Sequence, residues 1–533
     1  MTPIFSPANH RKIFLVFLGM AFCSLPYSRF SLSVSLIALG INWILEGDWR
    51  SKLNRIKGKV SLYVVASFYL MYLVGLLYTS DLHSGVSELQ QKLPLLLLPL
   101  ILSSSEPLRV KEFFGIMIFF LIALVLSTFY STYLFVGNFI DGSSNVREIS
   151  PFISHIRLGL MVNLALFLSF FFTLNPPMTV KPIIRIIFLC VSLWLTFYLF
   201  LLQSLTGIVV FFATILILLV VLMVKIKKPL FRYISLAVFL IAAISITGYL
   251  FIKIDKFFVR KEISTEELPV RTQNGNLYTH APDNLQYENG YPVWVNICEV
   301  ELEKQWNFRS SLSYSGEDKM GQSLKLTLIR YLTSKGLTKD SVGMANLDPI
   351  DIHLIESGAT SVIFREHKFG LYPRLYQLLW EIDQYKLFRK VGGSPFIQRL
   401  VYQKAAIQLI KQNFWFGVGT GDFSKSFNEY YAVNEPNLNP RYWFLSHNQF
   451  LTQWVALGFI GLLLFLAGWF APFIIERSYK DLLALSFMII LTLSMLNEDT
   501  LETHIGVSMV SLFYGLIVFG QSHKRIAQNG RVE

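Results

Sequence analysis

Long apolar runs without internal charge constrain this chain more than any other feature. IFFLIALVLSTFYSTYLF and IVVFFATILILLVVLMV are two of them. Crossing a bilayer as a helix takes about 20 consecutive apolar residues, and these runs approach that length. Charged residues make up 15% of the 533, where soluble domains carry about 25%. A water-soluble enzyme is therefore excluded, and the expected fold class is an all-α polytopic membrane protein.

Twelve spans are expected, near 13–27, 29–45, 60–79, 92–104, 113–137, 154–175, 184–203, 205–225, 232–254, 448–475, 480–496 and 504–521. The first follows a basic patch (His10, Arg11, Lys12) and lacks a small-x-small cleavage site, so it reads as an uncleaved span. The fourth contains Pro94 and Pro99 and reads as a broken or tilted helix.

The net charge of +12 does not point to nucleic acid, because Lys and Arg gather in short segments between apolar runs. With the N-terminus inside, twenty of them face the cytoplasm. They include Arg11, Lys12, the cluster from Arg50 to Lys59, the cluster from Lys225 to Arg232, and Lys524, Arg525 and Arg531. The short outer loops hold Arg29, Lys92 and Arg147. This asymmetry places both termini inside and the segment 255–446 outside. The expected domains are thus 1–254 with helices one to nine, a mainly helical periplasmic domain over 255–446, and 447–533 with the last three helices and a short tail.

Cys23 and Cys190 lie in apolar runs and Cys298 is alone in the polar segment, so neither an intradomain disulfide nor a metal-ligand spacing is present. The chemistry has to come from other side chains. His447 and Asn448 stand where the polar segment meets the tenth span, followed after nine residues by Gly458 and then Gly461. A His there can cap the helix or serve a reaction. The glycines fall on one helix face, as close helix packing requires.

Upstream, Arg399 opens an amphipathic helix that ends in GVGTGDF, with Gly417, Gly419, Gly421 and Phe423. This glycine stretch lacks the G-K-[ST] of a phosphate loop and reads as a turn. Arg157, in SHIRLGL beside His155, falls at the expected membrane edge. It is either a phosphate ligand or an interfacial anchor. Arg441 is a candidate by its nearness to His447. Glu498, Asp499, Glu502 and His504 form an acidic stretch between the last two spans. It could serve acid–base chemistry, hold basic side chains, bind sugar hydroxyls, or simply face solvent. His83, His280, His353 and His367 show no ligand spacing and are assigned no role.

The His–Asn–Gly–Gly pattern, the Arg–Gly block and the large external loop together resemble the O-antigen ligase and O-antigen polymerase superfamily. The resemblance implies a membrane glycosyltransferase of the bacterial inner membrane, independent of metal and without a cofactor. Its donor would be an undecaprenyl-diphosphate-linked glycan and its acceptor lipid A–core, another glycan or a protein, with no nucleic acid partner. It implies that Arg399 contacts the diphosphate, with Arg157 and Arg441 as further candidates. His447 would take the acceptor's proton, supported by Asn448, Glu498 and Glu502. Many members carry an Arg where this chain has Leu205. Ligase, polymerase and protein O-oligosaccharyltransferase share the donor chemistry and differ in acceptor. A polyprenyl-linked glycan flippase is the alternative from another class; the uncharged mid-spans and the asymmetric insertion argue against it.

Overall fold

The computed structural model describes residues 6–140, 150–202, 204–261, 268–366, 372–389, 391, 394–436 and 438–520, without the side chains of 138–140, 205 and 246. Arg147, His367, Lys524, Arg525 and Arg531 lie outside them. The chain forms two compact units, Met1–Leu222 with Arg399–Glu533, and Met223–Gln398.

The first unit opens with α1 (Pro7–Ser24), α2 (Arg29–Leu45), α3 (Trp49–Ile56), α4 (Val60–Gly75) and α5 (Leu82–Lys92). It continues through α6 (Pro94–Ser104), α7 (Val110–Ile140), α8 (His155–Leu174), α9 (Pro182–Leu201) and α10 (Leu205–Val224). The second unit begins near the end of α10. It holds α11 (Pro229–Phe258), a ribbon of β1 (Tyr287–Glu288) and β2 (Tyr291–Pro292), and α12 (Glu299–Arg309). Then come α13 (Leu324–Ser334), α14 (Ser341–Ala345), α15 (Pro349–Glu356), α16 (Ile363–Glu366) and α17 (Tyr372–Phe388). The chain re-enters the first unit within α18 (Pro395–Gln412), followed by α19 (Phe423–Asn434), α20 (Gln449–Ile475), α21 (Leu482–Asn497) and α22 (His504–Phe519).

The chain is nearly all helical, and six of the described helices, α7 to α11 and α20, are long and apolar enough to cross a membrane. The bent pair α2–α3 would make a seventh; it turns by 109°, where Gly47 and Asp48 both adopt positive φ. Helices α4, α21 and α22 are apolar but have 16 residues each, about 24 Å at 1.5 Å per residue. Helix α6 has only 11, because Pro94 has no N–H to extend a helix backward. Apolar side chains such as Val209, Phe212 and Leu216 of α10 point away from the protein, an arrangement that lipid tolerates and water does not.

Between these helices the few polar side chains bond to one another or to backbone. Asn163 of α8 donates to the carbonyls of Gly159 and Gly207 at 2.9 Å each, and Ser169 meets Ser192 at 2.8 Å. A Cβ on Gly207 would lie 3.4 Å from the Cα of Gly159, so these glycines let α8 and α10 approach closely. Arg157 lies two residues earlier, in the first turn of α8.

The second unit has its own core, with Trp306, Leu328, Tyr331 and Leu332 fully buried. Buried carboxylates there are paired: Glu288 takes Arg330 at 2.5 Å and the Tyr376 hydroxyl at 2.8 Å. Asp351 takes Lys335 and Arg365.

Residues 399–446, expected with the external segment, pack instead with the first unit. Thr420 donates its hydroxyl to the Tyr72 carbonyl at 2.7 Å, and Asp422 accepts from the Ser80 and Asp81 amides. The second compact unit therefore ends at Gln398.

Candidate functional site

The glycine block and the start of α20 are one structure. Gly458 has φ 70° and ψ −172°, which breaks α20 after Leu457. The break frees the Val455 and Ala456 carbonyls, and the amides of Val418 and Gly419 occupy them at 2.9 Å each. In return, Phe459 donates to the Phe414 carbonyl at 2.8 Å. A Cβ on Gly458 would stand 2.3 Å from the Trp415 carbonyl oxygen, so only glycine fits. This corrects the helix-packing reading of Gly458. Thr420 and Gly421 also spend their amides on protein acceptors, so four successive N–H groups of the turn are unavailable to a phosphate.

Ahead of the break, Asn448 caps α20. Its side-chain oxygen accepts from Phe450 and Leu451, and its Nδ2 donates to the Leu496 carbonyl near the end of α21, at 3.1 Å. His447 precedes it in the left-handed region, φ 50°, a conformation that costs a non-glycine residue on the order of 1 kcal/mol or more. Asp499 holds it there by accepting the His447 amide at 2.7 Å on Oδ2, while Oδ1 accepts the Thr452 hydroxyl at 2.6 Å. Burial pushes Asp499 up to about 6. The Glu502 charge adds to the rise, and the Thr452 hydroxyl and His447 oppose it.

The His447 ring stacks on Tyr402 of α18, with centroids 5.5 Å apart, and meets the edge of Phe444 at 5.9 Å. Its Nδ1 lies 3.2 Å from Oε2 of Glu498. The other oxygen of Glu498 accepts Nη2 of Arg399 at 2.5 Å, and Nη1 of Arg399 donates to Asn497 at 3.1 Å. Asn497 in turn donates to the Thr206 hydroxyl at 2.9 Å, beside Leu205 at the start of α10. Arg157 is half-buried and lies within electrostatic reach of Glu498 and Arg29. Its guanidinium has no ion-pair partner among the described residues. His447, Arg399 and Arg157 thus converge on one carboxylate.

The remaining candidates lie elsewhere. Arg441 is exposed and folds over the Tyr442 ring at 4.7 Å, one residue removed from the cluster through the Tyr402–Tyr442 hydrogen bond. Glu502 turns the other way and pairs with Lys92 of α5 at 2.6 Å, where Gln449 also donates to it at 2.8 Å. His504 meets Ser33 of α2 at 3.2 Å.

Residues 370–466 match the family described as O-antigen ligase. The chain carries an O-antigen ligase family domain. The matched stretch contains Arg399, the glycine turn, His447 and the Gly458 break, which are the parts tied together by the hydrogen bonds above. Glu498 and Arg157 lie outside it and join the O-antigen ligase domain only through the fold. The family implies a glycosyltransferase-like membrane enzyme. No curated protein matches the chain closely enough to count as a relative.

Sequence reasoning missed two contributors: Tyr402 and Asp499. The signal for Tyr402 was its place three residues after Arg399, which puts both on one face of α18. Asp499 was noticed only as part of an acidic loop.

Proposed function

We propose that this protein transfers a glycan from a polyprenyl diphosphate, undecaprenyl diphosphate in the bacterial inner membrane, to an acceptor hydroxyl at the periplasmic face. The favoured acceptor is lipid A–core, which makes it a ligase. One observation carries the reading: an imidazole and two guanidiniums meet at a single carboxylate, in a domain of the O-antigen ligase family.

A diphosphate is already a good leaving group, so the protein must position an acceptor hydroxyl, remove its proton and steady the charge on the departing group. Arg399 offers a planar fork to phosphate oxygens, and Arg157 adds a second positive charge with no ion pair among the described residues. Arg157, within electrostatic reach of Glu498, is the charge proposed to stand in for the Arg replaced by Leu205. His447, part-exposed and pinned at both backbone and ring, takes the hydroxyl proton. Attack from the side opposite the diphosphate inverts the anomeric centre. Asn448 and Asp499 keep the imidazole in place, and Arg441 is an outlying ligand for the donor.

The test is deletion of the gene followed by inspection of surface lipopolysaccharide. Loss of all O-antigen supports the ligase; molecules with one repeat mean a polymerase; unchanged lipopolysaccharide with altered glycoproteins means a protein glycosylator. Unchanged glycans throughout refute the proposal.

A further inference from the structure

Glu498 faces two partners with its two oxygens. Oε1 takes the Arg399 guanidinium at 2.5 Å, and Oε2 meets Nδ1 of His447 at 3.2 Å. A carboxylate beside Nδ1 keeps the proton on that nitrogen and leaves the lone pair of Nε2 for a substrate hydroxyl. It also stabilises the imidazolium formed when that proton arrives. How strongly it does so depends on how much of its charge Arg399 already neutralises.

The same guanidinium is expected to receive the donor. A diphosphate offers several charged oxygens to the fork, where Glu498 offers one. We propose that Glu498 is a positioning residue shared between Arg399 and His447: an anionic donor arriving on Arg399 releases the carboxylate to the imidazole, which becomes a stronger base only once the donor is bound. The inference rests on the reading of His447 as base and Arg399 as donor ligand.

Other charges around the ring are compatible with this exchange. From α18 the ring stacks on Tyr402, and Arg399 reaches it through Glu498; from the turn after α21 it meets Glu498, with Asp499 bonded to the His447 amide and within electrostatic reach of the ring. Arg157 of α8 acts on it through Glu498, and Glu502 acts through Asp499. Among the carboxylates of the described residues, only Glu498 touches both the ring and a cation that a substrate can claim.

The test needs no turnover. Full-length protein labelled at histidine is titrated by NMR, with His447→Ala to assign the signal. Glu498→Gln should lower the His447 midpoint by about one pH unit, and Arg399→Gln should raise it by a similar amount. Glu498→Asp, which keeps the charge, should restore most of the wild-type midpoint. Inorganic pyrophosphate should raise the midpoint of the wild type, and do so much less in Glu498→Gln. A midpoint that ignores Glu498→Gln, moves the same way in both variants, or does not respond to pyrophosphate overturns the proposal. The underlying reading fails separately. If the midpoints shift as expected and His447→Ala still transfers glycan, the shared carboxylate stands and the base does not. If His447→Ala is inactive and the midpoints stay put, the reverse holds.

Discussion

One five-residue turn, 498–502, feeds two ionic clusters, and they are built differently. Glu502 and Lys92 form a closed pair: the Lys92 side chain is wholly buried between Glu502 and Glu88, with the Tyr72 ring 5.1 Å away and the Gln449 amide on the other side of the carboxylate. Glu498, His447 and Arg399 form an open one, each part-exposed, with Arg157 within electrostatic reach and in no ion pair among the described residues. In the first, every charge has a protein partner and nothing remains for a ligand. In the second there is more positive than negative charge, and one ring nitrogen is left over. Burial alone does not mark a functional charge; incomplete pairing beside a reactive side chain does.

That contrast can be broken at several points. His447→Ala should leave folding intact and reduce glycan transfer by about 10³-fold, within the range for removing a general base, in an assay with purified donor and acceptor. Lys92→Met should do the opposite. It strands Glu502 and costs about 3–5 kcal/mol, seen as loss of thermal stability in detergent, with activity per folded molecule preserved. Arg399→Lys should weaken donor affinity about tenfold, because an ammonium cannot make the forked contact.

Asp499 sharpens the comparison through pH. Its folded pKa is raised from 3.8 to about 6, so the folded state binds the proton more readily than the unfolded chain. Its contribution to stability is therefore greatest in acid and is lost as pH rises through about 6. The Tm difference between pH 5 and pH 7.5 should shrink in Asp499→Asn. Transfer should also fall several-fold, since the amide must turn its NH₂ toward either the His447 amide or the Thr452 hydroxyl. The smallest effect is expected from Arg441→Ala, a loss of donor affinity of about twofold, because that side chain already rests on Tyr442 in solvent.

Much of this arrangement was legible in the sequence, though unevenly. Spans such as α10 follow from composition, since no charge interrupts them. His447, Asn448 and Arg399 stood out as motif residues. The pairing of Glu498 with both was not readable: the acid lies 51 residues beyond the His and 99 beyond the Arg, and only the hairpin of α20 and α21 brings them together. The acidic stretch looked uniform, yet Glu498 and Asp499 turn to His447 while Glu502 turns to Lys92. Glycines were misread for a related reason. A glycine that allows close helix packing and one that bends the backbone to positive φ are the same letter, and the partner strand of amides at 418–419 was needed to tell them apart.

The join between the glycine turn and the broken span has a mechanical consequence. Four backbone hydrogen bonds, reckoned from both sides of Gly458, pin the segment after α18 to the middle of α20. A tilt of α20 at this point is therefore passed directly to residues 414–419, the segment that follows α18.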